Sequence, residues 1–241
     1  MSNKINLSVI VPCYNEGKNI SLIVRRFNEI KPKGLDVELI LVDNGSNDDT
    51  HEQISLFVRK YTYIKLVTVK KNIGYGFGIL TGLKNAKGEY LCWTHADMQT
   101  DLNDTIKAYN LIVNQKNSRK IFVRGNRKGR PLFSQFFTWG MSIFESLLLG
   151  QFLWEINAQP KLFHSSYMNK IKNPPNDWSL DLYFYYLAKK NNFEINSIDV
   201  IFPERIHGKS HWDEGIKSKI KFIKRTIDFS LKLKKTLINK S

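Results

Sequence analysis

The sequence predicts an α/β fold in which helices flank a mostly parallel central sheet. Four short apolar runs, typical of buried strands, lie at residues 7–12, 37–42, 64–69 and 90–94. Segments with helical spacing, or loops that can start a helix, separate these runs, and this alternation is typical of parallel sheets covered on both faces. An apolar fraction of 42% is ordinary for a globular chain and is sufficient for one core.

The helices between these strands are predicted from different signals. Residues 19–30 carry apolar side chains at positions 20, 23, 24 and 27, the period of a helix packed on a sheet. The polar loop at residues 44–50 can cap a second helix that starts near Thr50. Four glycines, at 74, 76, 78 and 82, lead into a third helix near residues 77–86.

The second half of the chain is richer in aromatic and basic residues. We predict a strand at 121–123, a basic loop at 124–130, a helix at 133–152, a helix at 177–190 and a strand at 195–202. The expected buried stripe of the helix at 177–190 consists of Leu182, Tyr185, Tyr186 and Leu187.

The tail from Ile216 onward has apolar residues near helical spacing and many lysines between them. The apolar positions are 216, 220, 223, 227, 231 and 238. We therefore divide the chain into one domain, residues 1–212, and a basic amphipathic C-terminal helix, residues 213–241. Three roles stay open for this helix: it lies on an anionic membrane surface, it docks on the domain, or it contacts a partner.

Charge and cysteine content limit the classes of partner and compartment. The 37 Lys and Arg residues exceed the 22 Asp and Glu residues and give a net charge of +15, which indicates nucleic acid, an anionic membrane face or a phosphorylated substrate. Cys13 and Cys92 lie in predicted buried strands, so we expect no disulfide and a reducing cytoplasm. We expect neither a signal peptide nor a transmembrane helix.

Polar clusters follow each of the four predicted strands. They are 14–16, 43–44, 72–76 and 97–99. Ligands bind at the carboxyl ends of the strands in sheets of this kind, so the four clusters predict one shared binding site. Taken singly, Asn15 and Asp43 are equally well explained as helix caps. The glycines at 74, 76 and 78 do not match a dinucleotide fingerprint, but they allow close backbone approach to a nucleotide.

The most informative motif is the segment at residues 95–99, His-Ala-Asp-Met-Gln, which follows the fourth strand. It places a carboxylate and an amide two residues apart at the end of a buried strand. Short acidic motifs of this kind hold a divalent cation against the phosphates of a nucleotide.

Together these motifs resemble the family 2 glycosyltransferases, which have the GT-A nucleotide-diphospho-sugar transferase fold. The matching segments are 11–16, 42–50, 72–76 and 96–99, and the resemblance is close over residues 7–130 and looser to 212. The pattern is most similar to polyprenyl- or dolichol-phosphate sugar synthases and surface-polysaccharide transferases. The resemblance implies a nucleotide-binding half at 1–100 and an acceptor half at 101–212.

The resemblance also implies roles for the residues at the strand ends. The nucleotide-binding set would be Pro12, Tyr14, Asn15, Glu16, Asp43, Asn72, Gly74 and Asp97. Asp97 and Gln99 would hold Mg²⁺ or Mn²⁺. His95 stands where the family usually has its first aspartate; an imidazole can ligate Mn²⁺ but is a poor ligand for Mg²⁺.

Basic and acidic residues of the second half complete the implied site. Arg124, Arg127 and Arg130 would grip phosphates, unless they form a solvated loop. Arg205 and Lys209 belong to a late segment that would close over the donor diphosphate, and His207 and His211 could add contacts there.

Two further segments bear on the acceptor. Asp181 is the candidate general base and Asp177 the alternative, although either carboxylate also suits a helix start. The segment at 155–163 departs from the form found in lipid-phosphate synthases, and its Asn157 and Gln159 could bind a sugar hydroxyl.

The sequence therefore predicts an inverting glycosyltransferase of cell-surface glycan synthesis. It would use a UDP- or GDP-linked sugar, and the acceptor would be a polyprenyl phosphate or a membrane-linked glycan. We expect a cytoplasmic protein in peripheral contact with the inner face of the cell membrane, and no nucleic-acid partner. The competing interpretations are an inactive sugar-nucleotide-binding relative, prompted by His95, and a basic nucleic-acid-binding protein.

Overall fold

The computed structural model describes residues 5–129, 132–202 and 216–238. The strands are β1 (Leu7–Cys13), β2 (Val37–Asp43), β3 (Ile64–Thr68), β4 (Tyr90–Trp93), β5 (Ile121–Lys128), β6 (Lys161–His164) and β7 (Glu194–Ile201). The helices are α1 (Gly17–Ile30), α2 (Thr50–Lys60), α3 (Tyr75–Asn85), α4 (Asn103–Ile112), α5 (Leu132–Leu149), α6 (Ser179–Lys190) and α7 (Ile216–Ile238).

The strands form one sheet in the order β3-β2-β1-β4-β6-β5-β7. β6 pairs antiparallel with both β4 and β5, and the other pairs are parallel, so β6 alone runs against the remaining six strands. The predicted α/β fold with a mostly parallel sheet is confirmed.

Helices cover both faces of the sheet, as predicted. Val9 and Val11 of β1 pack in a core with Ile20 of α1, whereas Ile10 packs in a second core with Ile79 of α3. Successive strand residues point to opposite faces, so a continuous apolar run fills both cores. Cys13 and Cys92 are buried and unpaired within the described ranges, as expected.

Several predicted boundaries were wrong. The segment at 124–128 is not a loop, because it continues β5 and pairs with β7 along its whole length. Pro12 does not end β1, which continues to Cys13 in register with Asp43. The stripe predicted for α6 was too narrow, since Leu180 and Phe184 are also fully buried, whereas Leu187 is only half-buried.

Helix α7 docks on α5 through a largely polar face. Thr226, Ser230 and Leu233 are buried, whereas Ile220 and Leu231 of the predicted apolar stripe are 59% and 44% exposed. The structure therefore docks α7 on α5 without burying these two stripe positions. No helix in the described part of the chain is both long and apolar enough to cross a bilayer.

A buried carboxylate lies in this helix contact. Glu145 of α5 is fully buried, and its Oε1 accepts a hydrogen bond of 2.8 Å from Ser230 Oγ. Its Oε2 has no hydrogen-bond partner among the described residues. Burial raises the pKa of the Glu145 carboxyl from 4.5 to about 7, and the bond from Ser230 opposes part of this rise.

We expect Glu145→Gln to remove a pH-dependent loss of stability. The pKa of Glu145 is higher in the folded than in the unfolded state, so its protonated form stabilises the fold. This contribution to the free energy of unfolding is fully present below pH 4.5 and is lost as the pH rises through 7. The difference amounts to about 3 kcal/mol in the free energy of unfolding. Urea unfolding at pH 5, 6.5 and 8 measures this difference. The stability of the variant relative to the native protein should increase as the pH rises. The exposed Glu52→Gln is the control, and equal pH profiles for native protein and Glu145→Gln would contradict the assignment.

Candidate functional site

The sequence-predicted clusters meet at one edge of the sheet. The chain runs from β1 outward through β2 to β3, and then returns to the other side of β1 as β4. The strand order therefore reverses between β1 and β4, and ligands of doubly wound sheets bind in the crevice at such a point. The loops after β1 and β4, which carry Tyr14 and Asp97, flank this crevice.

The loop after β1 is tied to the loop after β2. The Asn15 backbone N–H donates to Ser46 Oγ at 3.1 Å, and the Asn47 N–H donates to Asn15 Oδ1 at 2.8 Å. The Glu16 N–H donates to Thr50 Oγ1 at 2.8 Å. The alternative that Asn15 caps α1 is wrong, because the N-cap position is Glu16 and Asn15 has a left-handed backbone, with φ 56°. These bonds hold two of the predicted site loops together.

Asp43 lies at the end of β2 and is only 4% exposed. Its Oδ1 accepts from the Ser46 N–H at 3.0 Å, and its Oδ2 lies 3.1 Å from His51 Nδ1. It does not cap α2, whose N-cap position is Asp49. Sequence analysis missed His51, which reaches Asp43 from the first turn of α2.

The glycine-rich turn before α3 is packed against the chain itself. A side chain at Gly74 would collide with the backbone of Asn176, and the Phe77 N–H donates to the Asn176 carbonyl at 2.9 Å. Asn72 Oδ1 accepts from the Gly74 N–H at 2.9 Å, and Asn44 Nδ2 donates to the Gly74 carbonyl at 3.0 Å. Close backbone approach was expected here, but the approaching group is the segment at 175–177.

Gly76→Ala is expected to destabilise the fold by about 1–3 kcal/mol. A Cβ at Gly76 would lie 2.6 Å from the Asp177 carbonyl oxygen and 2.8 Å from that of Pro175, and both are backbone atoms. The matched control is Gly140→Ala in α5, where a Cβ meets nothing within 4 Å and a helical alanine should be stabilising by up to about 1 kcal/mol. Thermal and urea unfolding of both variants measure the effect. Equal stabilities would show that the turn can move away.

The acidic motif after β4 keeps its carboxylate largely buried. Asp97 is 6% exposed, its Oδ1 accepts from the Gln99 N–H at 3.1 Å, and Met98 between them has a left-handed backbone. The described residues contain no group of three His, Cys, Asp or Glu side chains that could hold a metal ion. Asp97 and the Gln99 amide, with the His95 imidazole as the third predicted ligand, would hold a cation together with oxygens of a bound ligand. This donor set fits Mg²⁺ or Mn²⁺ bound through a nucleotide phosphate.

His95 belongs to an aromatic cluster with Tyr75 and Trp178. The rings of Tyr75 and Trp178 stack with centroids 3.9 Å apart and planes 10° apart. The His95 ring lies 5.7 Å from Tyr75 and 6.2 Å from Trp178. Sequence analysis did not predict this cluster, because its three rings come from three distant segments.

Asp181 lies in the first turn of α6 and is fully buried. Its Oδ1 accepts from Gln159 Nε2 at 2.7 Å and from Trp93 Nε1 at 3.3 Å. Its Oδ2 and the Gln159 Oε1 have no hydrogen-bond partner within the described ranges. Burial raises the pKa of Asp181, and the charges of Lys161 and His95 oppose the rise. Asp177, the alternative base, instead accepts from the Ser179 N–H at 2.9 Å.

The basic residues of the second half lie on adjacent strands. The sheet register sets Lys161 of β6 between Trp93 of β4 and Arg124 of β5. Lys161 is fully buried and donates to the Ile156 carbonyl at 2.6 Å, and burial lowers its pKa from 10.5 to about 7. Sequence analysis missed this lysine. The local signal that could have indicated it is a charged residue at the start of a short apolar run.

Arg127, expected to grip phosphate, pairs with an acidic side chain. Its Nε lies 2.6 Å from Glu155 Oε2, and the two side chains are only 11% and 7% exposed. Sequence analysis did not predict Glu155 as this partner. Arg130, Arg205, His207, Lys209 and His211 lie outside the described residues.

The fold and the site define the GT-A class of sugar-nucleotide transferases: an α/β sheet whose strand-end loops meet around a short acidic motif. Residues 8–158 match the family described as Glycosyl transferase family 2. The chain belongs to this family, as the sequence motifs predicted.

Curated relatives carry related names. The chain is 32% identical over 127 residues to the glycosyltransferase CsbB of Bacillus subtilis (strain 168), an alignment that covers 51% of this chain and 37% of CsbB. It is 26% identical over 221 residues to a dolichyl-phosphate beta-glucosyltransferase of Dictyostelium discoideum, covering 84% of this chain and 68% of that one. The chain thus spans little more than a third of the first relative.

Solved structures share the fold. The glucosyl-3-phosphoglycerate synthase of Mycobacterium tuberculosis, in complex with uridine diphosphate, matches 95% of this chain and 79% of its own length with a TM-score of 0.71 and 14% identity. The mannosyltransferase PcManGT of Pyrobaculum calidifontis, in complex with GDP-Man and Mn²⁺, matches 87% of this chain and 60% of its own length with a TM-score of 0.64 and 18% identity. At these identities the match establishes the GT-A fold alone.

Proposed function

We propose that this chain transfers a sugar from a UDP- or GDP-linked donor to a polyprenyl phosphate or membrane-linked glycan, with inversion at the anomeric carbon. The observation that carries the proposal is the meeting of four strand-end segments at the β1/β4 switch point of a family 2 chain. The alignment with a dolichyl-phosphate beta-glucosyltransferase over 84% of this chain supports a lipid-linked acceptor.

In this proposal the position of each residue in the site sets its role. Pro12, Tyr14 and Asp43, at the ends of β1 and β2, would line the nucleoside pocket. Asp97 and Gln99 would hold the divalent cation, which when bound neutralises charge on the leaving diphosphate. The acceptor would lie on the side of β4 that carries β6 and β5, where Arg124 and Lys161 would attract its phosphate.

A thermal-shift panel tests the proposal. UDP, GDP, UDP-glucose and GDP-mannose are each added with and without Mn²⁺, and a ligand that binds the folded state should raise the unfolding temperature. The best donor, radiolabelled in its sugar, is then incubated with the protein and a polyprenyl phosphate. If no nucleotide shifts a folded sample, the proposal fails; binding without transfer to any acceptor would favour the inactive relative. Salt-dependent binding to an arbitrary DNA duplex would favour the nucleic-acid interpretation.

We further propose that α5 and α7 contact an anionic membrane surface. On α5, Phe136, Ile143 and Leu147 are 62%, 56% and 80% exposed, and α7 adds the exposed Ile220. The exposed side of α7 also presents cations, namely Lys224, Lys232, Lys234 and Lys235. Exposed apolar side chains beside cations suit the interface of an anionic bilayer.

Vesicle sedimentation measures this contact. The native chain should bind phosphatidylglycerol vesicles better than phosphatidylcholine vesicles. Ile143→Ser/Leu147→Ser should weaken binding at least about tenfold, since two apolar side chains that would enter the bilayer interface are lost. Leu56→Ser is the matched control, because Leu56 is 57% exposed on α2. Equal losses in both variants, or no loss in either, would contradict a specific surface.

A further inference from the structure

Three aromatic rings meet beside the acidic motif; Tyr75 packs against the second core, and Trp178 and His95 extend the cluster beyond it. They come from the start of α3 (Tyr75), the loop after β4 (His95) and the residue before α6 (Trp178). Trp178 is 36% exposed, and Tyr75 and His95 are half-buried. Neighbouring aromatic residues such as Trp93 and Phe184 are fully buried. The cluster is therefore a partly open surface beside Asp97.

The cluster is held rigidly. The Tyr75 hydroxyl lies 3.2 Å from Gln159 Nε2, and the stack of Tyr75 on Trp178 ties α3 to the start of α6. The Asp177 carboxylate accepts from the Ser179 N–H and fixes the turn that presents Trp178. A surface fixed in this way loses little conformational entropy when a ligand binds.

A polar atom without a partner lies at the base of the cluster. Gln159 is 1% exposed, and its Nε2 donates to Asp181 Oδ1 and to the Tyr75 hydroxyl. Its Oε1 has no hydrogen-bond partner in the described part of the chain. A buried acceptor without a partner is costly, and a ligand hydroxyl would satisfy it. Aromatic faces next to a hydroxyl acceptor suit a pyranose, which has apolar C–H faces and a rim of hydroxyls.

We propose that Tyr75, His95 and Trp178 form a platform that binds a pyranose ring, with Gln159 Oε1 accepting from one of its hydroxyls. This inference rests on the proposed function and names the substrate class of that site. It also gives His95 a role without metal ligation, since its ring extends the platform. The pyranose is either the sugar of the donor or a saccharide in the acceptor.

Trp178→Leu tests the platform, because leucine keeps apolar contact with Tyr75 but removes the aromatic face. One arm measures UDP and UDP-glucose binding by calorimetry with Mn²⁺. A second arm measures methyl β-glucopyranoside binding by saturation-transfer NMR, which needs no nucleotide. Phe136→Leu is the control, since Phe136 is an exposed aromatic residue on α5.

A donor pyranose predicts that Trp178→Leu weakens UDP-glucose about tenfold and leaves UDP unchanged. An acceptor saccharide predicts unchanged UDP-glucose binding and loss of the methyl glucoside signal. Suppose that the native chain binds nucleotide, and that Trp178→Leu binds UDP-glucose and the methyl glucoside as well as the native chain does. The platform is then overturned while the proposed function stands. If the native chain binds no nucleotide, the proposed function fails. The platform is then tested by the glucoside arm alone, and the absence of a glucoside signal from the native chain overturns it.

Discussion

Asp97→Ala is expected to abolish cation-dependent binding of the nucleotide, weakening UDP or GDP in the presence of Mn²⁺ by at least about 100-fold. Asp97 is the only carboxylate of the motif at 95–99, and Gln99 adds a neutral amide. In the site that we propose, removing this carboxylate would weaken the hold on the cation, and the charge of the diphosphate would then be uncompensated. Calorimetry with and without Mn²⁺ measures the loss, and sugar transfer should fall in parallel.

Two variants make the result specific. Asp101→Ala removes a nearby carboxylate that pairs with Arg26 at 2.7 Å, and nucleotide binding should survive. His95→Phe keeps a ring beside Tyr75 but removes both ring nitrogens, and cation-dependent binding should also survive. Loss of cation dependence in His95→Phe would show that the imidazole is a ligand. Retention of Mn²⁺-dependent binding in Asp97→Ala would place the cation elsewhere.

The first half of the fold could be predicted because its signals are local. The runs at β1 and β2 are continuous and β-branched, and the apolar spacing of α1 fixes which residues it buries. β6 was not predicted, since its four residues begin with Lys161 and are too short to show a period. The arginines of β5 were assigned to a loop, because their strand partner β7 lies about 70 residues further along the chain.

The candidate site was predictable where one strand end supplies one motif, as at Asp43 and Asp97. Contacts between distant segments could not be predicted. Glu155 pairs with Arg127, and Gln159 meets Tyr75, only because β5, β6 and α3 are brought together by the sheet order. Tyr75 and Trp178 are unremarkable aromatic residues in the sequence, and only their stacking distinguishes them. Local patterns locate strand ends, whereas side-chain partners depend on register.

Asp181→Asn is expected to lower sugar transfer by about 10²–10⁴-fold, the usual contribution of a general base, while the protein stays folded. In the reaction we propose, an acceptor hydroxyl oxygen bonds to the anomeric carbon, the bond to the diphosphate oxygen breaks, and the hydroxyl proton passes to a carboxylate. Asp181 Oδ2, which lacks a hydrogen-bond partner among the described residues, is the candidate atom. The asparagine oxygen can still accept from Gln159 and Trp93, so the fold should persist.

The pH profile separates a base from a structural residue. Burial raises the pKa of Asp181 above its ordinary 3.8, so transfer by the native chain should fall as the pH decreases through this raised value. The variant should lack that acid limb, and its UDP-glucose affinity should be unchanged. Native rates in Asp181→Asn would mean that the acceptor is already ionised, as a polyprenyl phosphate is, and needs no base. Asp181 would then serve only to accept the hydrogen bonds of Gln159 and Trp93. The rate of the Asp181→Asn variant therefore distinguishes a hydroxyl acceptor from a phosphate acceptor.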